Sequence, residues 1–317
     1  MEYEGPPITT EDKVYFIGSV STLEGSIIFS DGFALKIWWQ GTTSVIAGNV
    51  YNAGYVDGVG TDARLTYITS AIELYDSEWL LADMYNHCLR VLNLLDQTVR
   101  HFLGDCPIRH NPPTARPIGL SYPCGIIADP FNEYKIYLSQ EMAIWNIDTD
   151  LFEILPVFEY VHELSHMYNY SQMNWYGTSL IVTYESLILR LDIPRGRNYP
   201  YEVYYTFSKK LEWSSVSAVP SYRNLDLPEY RGLASINIEG ILIVVDKLYS
   251  AVRLLNLKTN EVLTVCQANS DNDNHHCPIN APTSVFYDFS TSVLYVGHDS
   301  GLITLKGMTK VKPAISG

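Results

Sequence analysis

Gly54-Tyr55-Val56-Asp57-Gly58-Val59-Gly60-Thr61-Asp62-Ala63-Arg64-Leu65, followed by Leu81-Ala82-Asp83-Met84-Tyr85-Asn86-His87-Cys88-Leu89-Arg90-Val91-Leu92, is the stretch from which the rest of the chain can be read. Short apolar runs separated by turn residues have the length and period of strands, not helices. The spacing predicts strands over 69–75, 78–83, 88–94 and 98–103. The Gly-rich segment reads as a connector whose glycines permit positive φ. Asp83 and Asn86 read as turn residues that bond backbone amides.

The unit begins upstream at Val45-Ile46-Ala47-Gly48. Together, the Ala-Gly strand end, the Gly-rich connector and the Leu-Ala-Asp-x-x-Asn-His-x-Leu-Arg-x-Leu hairpin resemble the NHL repeat. That resemblance implies an all-β fold, a six-bladed β-propeller of four-stranded antiparallel blades. Weaker hairpins support the period. They are Ile27–Asp31 with Leu35–Trp38, Ile136–Leu138 with Ile144–Ile147, Leu180–Thr183 with Leu187–Leu191, Ile243–Asp246 with Val252–Asn256, and Leu294–Gly297 with Leu302–Leu305. A four-stranded blade uses about 45 residues, so a single propeller domain over residues 1–317 takes up the length. Its expected blades are 13–48, 49–104, 105–157, 158–208, 209–267 and 268–317. Val14 to Val20 serves either as the first blade's inner strand or as a closing strand of the last.

The formal charge of −14, with 21 basic residues against 35 acidic ones, opposes a phosphate backbone, so nucleic acid is excluded as a partner. It favours cations or cationic ligands, beside the plainer role of keeping the protein soluble. No run approaches the roughly 20 apolar residues of a membrane-spanning helix. The first residues, Met-Glu-Tyr-Glu-Gly-Pro-Pro, lack the basic and apolar character of an export signal, so secretion would require a leader already removed. Cys106 with Cys124 and Cys266 with Cys277 flank two connectors and are expected to form disulfides, leaving Cys88 as a buried thiol. Such bonds place the chain in an oxidising, extracellular compartment. Asn169-Tyr170-Ser171 is a glycosylation sequon in keeping with that location.

His162-Glu163-Leu164-Ser165-His166 matches a zincin pattern, in which a helix turns two imidazoles to one metal. It falls where a connector is expected, and a polar connector with two rim histidines is the plainer reading. Glu185, His162 and His166 are the candidate catalytic acid–base residues. Asp271, Asp273, His275 and His276 form a second polar cluster, so a divalent cation, structural or catalytic, is the one cofactor considered. Asp31, Asp83, Glu141, Glu185, Asp246 and Asp299 each close a blade's second strand. They make either a ring of carboxylates or, more plainly, a repeated turn cap. Among 24 tyrosines, clusters stand at Tyr168–Tyr170, Trp175-Tyr176 and Tyr201–Tyr205. A minority of these rings lining a central funnel would hold a small, flat ligand.

Free-standing secreted propellers resemble lactonases, strictosidine-synthase-like enzymes and amidating lyases, and a cofactor-independent oxidation of luciferase type would also suit an aromatic pocket. The leading expectation is therefore an enzyme acting on a small molecule in the funnel. A non-catalytic recognition propeller is the alternative, and zinc chemistry at His162-Glu163-x-x-His166 a second one. The structural criterion between them is whether titratable groups converge in a pocket or an apolar patch stands exposed.

Overall fold

The computed structural model describes residues 2–3, 8–10, 13–18, 21, 23–74, 77–104, 106, 120–140, 143–149, 153–159, 172–184, 187–192, 229–236, 238–259, 261–268, 276–299 and 301–306. These residues form six antiparallel sheets in which, apart from added edge strands, spatial order follows chain order. The second sheet has its four main strands at Ile68–Glu73, Glu78–Asp83, Cys88–Asn93 and Thr98–Gly104, within two residues of the sequence expectation. The first uses Ile17–Gly18, Ile27–Asp31, Ala34–Trp39 and Thr42–Gly48. The third runs Gly125–Asp129, Asn132–Gln140, Ala143–Asp148 and Glu153–Glu159, and the fourth Met173–Tyr176, Ser179–Tyr184 and Leu187–Asp192. The fifth runs Tyr230–Ser235, Ile241–Asp246, Ala251–Asn256 and Glu261–Gln267, and the sixth has Ser284–Asp288, Val293–His298 and Gly301–Lys306. Six successive meanders of this kind are a six-bladed β-propeller in topology.

Both faces of the middle strands are buried, so they read as continuous apolar runs: Glu78–Asp83 is covered from Trp79 onward and Ile241–Asp246 from Leu242. Apolar layers lie between neighbouring sheets. Leu80, Ala82, Leu89 and Val91 pack with Ile126, Ile136 and Leu138, while Ile243, Val245 and Val252 pack with Val285, Leu294 and Val296. The chain divides into two compact units, one carrying the first three sheets and the other the last three with the N-terminal residues up to Ile17.

Two features of the edges were not legible beforehand. Ile17–Gly18 is the inner strand of the first sheet, while Glu2–Tyr3 and Ile8–Thr9 pair with Gly301–Lys306, so an earlier segment supplies the closing strands. The Gly-rich connector is also more ordered than a simple crossing. Gly58–Val59 pairs with Thr98–Val99 as a fifth strand of the second sheet, and Val56 bridges Arg64. Of its glycines, Gly60 takes positive φ (54°), but Gly54 and Gly58 serve by their lack of a Cβ, which would stand 3.2–3.3 Å from Arg64 or Ala63.

The cysteine expectation needs one correction. Cys266 does pair with Cys277 (Cα–Cα 5.6 Å), but Cys106 pairs with Cys88 (Cα–Cα 5.3 Å), and Cys124 is buried outside both disulfides, its Sγ bonding the Tyr122 carbonyl at 2.9 Å. Register explains this: Cys88 stands opposite Gly104, so the chain leaving that strand carries Cys106 back over Cys88. Gly104 (φ 104°) and its counterpart Gly48 (φ 81°) end outer strands where a Cβ would lie 2.6 and 2.3 Å from the carbonyls of His87 and Phe33.

Candidate functional site

The last residue of each sheet's second strand and the residue diagonally across the hairpin share a face, because alternate residues point the same way. Among the described residues that diagonal is an acid and a cation in three sheets. Asp31 with Lys36, Asp83 with Arg90 and Asp246 with Arg253 have the same register, since Lys36, Arg90 and Arg253 stand opposite Phe29, Leu81 and Val244. All three carboxylates are fully buried and ion-paired, at 2.5, 3.1 and 2.7 Å. These three acids are therefore structural and do not form a ring open to a ligand. At the same position the third sheet has Gln140 and the sixth His298, one residue before Glu141 and Asp299. Glu141 lies outside the described residues.

The hub around Asp83 shows what the repeat's conspicuous residues do. Asp83 accepts bonds from the Thr66 amide and hydroxyl, from Asn86 and from Arg90. Asn86 donates to the Gly54 carbonyl, and Arg90 reaches the carbonyls of Val56 and Arg64 and the Asp57 carboxylate. Tyr55 lies against the Arg90 guanidinium, 4.5 Å from ring centroid to carbon. The hairpin thus binds the whole Gly-rich connector, and its motif residues are consumed in doing so. Burial pushes the Asp83 carboxyl upward, against the pull of Thr66, Asn86 and Arg90.

Beside this hub, in the unit of the first three sheets, runs a row of aromatic side chains. Phe33 occupies the turn of the first sheet's central hairpin, Tyr85 and His87 that of the second, and Tyr67 and Tyr122 precede the inner strands of the second and third. Ring centroids are 5.2 Å apart for Phe33–Tyr67, 5.5 Å for Tyr67–Tyr85, 5.8 Å for Tyr85–Tyr122 and 4.3 Å for Tyr122–His87. Their planes meet at 54°, 67°, 89° and 67°. Tyr85 is exposed and the other four half-buried. The backbone holding them is under local strain: His87 has φ 55° and Tyr122 φ 48°, and a bulky ring at positive φ costs on the order of 1–3 kcal/mol. Thr66 bonds the Tyr85 amide, and the Tyr122 amide donates to His87 Nδ1 at 3.3 Å.

The other unit holds a different anomaly. His298 is 8% exposed, and neither ring nitrogen has a hydrogen-bond partner among the described residues. It shares its face with Val296 and Ile303, where other sheets have an acid–cation pair. Burial pulls its imidazole below the ordinary 6.5, opposed by neighbouring Asp299. Beside it Val14 is fully buried, donates its amide to the His298 carbonyl at 3.4 Å, and accepts the Thr283 and Ser284 hydroxyls at its own carbonyl. Lys13 pairs with Asp299 at 3.2 Å.

His162, Glu163, His166, Asn169 and Glu185 lie outside the described residues, as do Asp271, Asp273, His275, Tyr168, Tyr170 and the 201–205 cluster. Among the described residues no three His, Cys, Asp or Glu side chains group to hold a metal ion, and no helix is long and apolar enough to cross a membrane. The aromatic row escaped notice because its members stand far apart in sequence. Its signal was positional: an aromatic residue two places after the strand-end aspartate at both Phe33 and Tyr85.

No family model and no curated protein matches the chain. Solved structures do match in fold. An auxiliary nutrient binding protein from Bacteroides thetaiotaomicron is 9% identical, with TM-score 0.64 over 92% of this chain and 69% of its own. The extracellular domain assigned to a hybrid two-component system of the same organism is 13% identical, with TM-score 0.59 over 96% of this chain and 39% of its own. A catalytically inactive histidine-to-alanine form of virginiamycin B lyase from Staphylococcus aureus, bound to quinupristin, is 13% identical, with TM-score 0.53 over 93% and 82%. At these identities the likeness shows the fold alone.

Proposed function

We propose that the chain is an extracellular, ligand-binding propeller of the NHL-repeat type, single-domain in organisation, and that its ligand rests on the row Phe33–Tyr67–Tyr85–Tyr122–His87. One observation carries this reading: five rings brought into contact from four separate turns, two of them on backbone that a glycine would occupy at lower cost. Strain held by a partly exposed aromatic array indicates use, since packing alone would not select it. Nutrient-binding and extracellular domains among proteins of similar fold, together with two disulfides, support the ligand-binding role and the location. A glycan at Asn169 belongs to the same proposal. Titration of the purified protein with small aromatic probes, followed by fluorescence or calorimetry, tests it. Tyr85→Ala should weaken binding about tenfold, corresponding to roughly 1.4 kcal/mol for a lost aromatic contact. Unchanged affinity in Tyr85→Ala and Tyr122→Ala together would end the proposal.

Catalysis is the second reading, and His298 is what favours it. A buried imidazole left neutral and without partners is a poised base, and a lyase of similar fold is inactive once one of its histidines is alanine. A screen of small cyclic esters and peptides as substrates, with His298→Ala as control, decides it: turnover that survives the substitution removes His298 from the chemistry. The zinc alternative at His162 and His166 is tested by metal analysis of the purified chain.

A further inference from the structure

The geometry points to a compact organic cation, a quaternary or tertiary ammonium compound, as the ligand of the aromatic row. This rests on the ligand-binding reading above and narrows it. A flat ligand wants rings that share a plane, whereas successive planes here turn by 54°, 67° and 89° from Phe33 to Tyr122. Against such a row a planar molecule stacks on one ring and meets the rims of its neighbours, and ring rims carry positive charge. A compact cation needs only one ring face, and ring faces are negative. Cations set over phenol and phenyl faces within about 6 Å are held by that quadrupole.

Charge points the same way. At −14 the protein draws cations from solution, and Lys36 and Arg90, on the hairpins whose turns carry Phe33 and Tyr85, are engaged by the buried Asp31 and Asp83. The chain already uses this chemistry internally. Arg90, Arg190 and Arg253 lie over the rings of Tyr55, Tyr176 and Tyr249 at 4.5, 5.5 and 5.6 Å. The Tyr85 ring, 40% exposed, is where a soluble cation would first meet the row.

Three probes on the whole protein, read by calorimetry, test the idea: choline, its neutral isostere 3,3-dimethylbutan-1-ol, and indole. Choline should bind at least tenfold tighter than the isostere. Tyr85→Phe, which keeps the face, should preserve that ratio, and Tyr85→Leu, which keeps only apolar volume, should reduce it severalfold. Equal affinity for choline and its isostere, or binding of indole with none of choline, overturns the cation assignment and leaves the ligand-binding reading standing. Silence from all three overturns both.

Discussion

Asp246 and Arg253 are only 0% and 1% exposed, so their pairing is a solution to a problem that burial creates. Removing one partner strands the other's charge, which costs about 3–5 kcal/mol, whereas replacing both by apolar residues of similar size is often neutral. Asp246→Leu should therefore cost about 3–5 kcal/mol in denaturant unfolding, and Asp246→Leu with Arg253→Met should restore most of it. The sixth sheet already shows the second solution half complete, with Ile303 at the cation's place and His298 at the acid's. His298 makes the fold sensitive to acid, with a definite sign. Its folded-state pKa lies below 6.5, so as pH falls the unfolded chain takes up the proton first. Its contribution is intact above about 6.5 and is lost as pH descends toward the folded value. Chemical denaturation at pH 7.5, 6.5 and 5.5 should show stability declining across that range, and His298→Leu should flatten the decline. None of this pairing could be read from His298 itself. The carboxylate at Asp299 drew attention because it is charged, yet strand register places its neighbour at the equivalent site.

The hairpin Glu78–Asp83 with Cys88–Asn93 was legible to within a residue because apolar pattern and turn chemistry agreed along it. Its connector was not: an Asp-Gly-Val-Gly run carries no strand period, and Gly58–Val59 is a strand only because Thr98 and Val99 offer an open edge. Disulfide choice failed for a similar reason, since spacing along the chain suggested Cys106–Cys124 while the register of Cys88 against Gly104 set the actual pair. Closing an 18-residue separation stabilises by about 3 kcal/mol on the chain-entropy model. Peptide mapping should find Cys88 linked to Cys106, and Cys124 should alkylate only in denaturant. Cys106→Ser should lower the melting temperature, and Cys124→Ser should leave the linkage unaltered. The turns bearing the aromatic row set stability against use. Tyr122→Gly should relieve the positive φ and leave the melting temperature unchanged or raised, while ligand affinity falls.

At the scale of the molecule, repetition made the number of sheets legible, and decay of the repeat hid what differs between them. The way the last sheet is completed belongs to neither class, because it depends on residues far outside any repeat. Gly301–Lys306 would be an unpaired edge, with a row of open amides and carbonyls available to other chains. Glu2, Tyr3, Ile8 and Thr9 cover it, opposite Lys306, Leu305, Leu302 and Gly301. On the sheet's other flank the same N-terminal segment is fastened at Val14, whose side chain fills the space a Cβ on Gly297 would need, 2.8 Å from that position. Covering and fastening should therefore be separable. Deleting residues 1–9 removes the closing pairs but keeps Val14, and at about 0.5–1.5 kcal/mol per lost backbone bond it should cost about 2–4 kcal/mol and make the protein self-associate, as seen by light scattering. Gly297→Ala keeps the edge covered but crowds both Val14 and the Ser284 hydroxyl that holds its carbonyl, so it should lower stability without association. If the deletion left both melting temperature and scattering unchanged, the N-terminal strands would not be what closes the sheet.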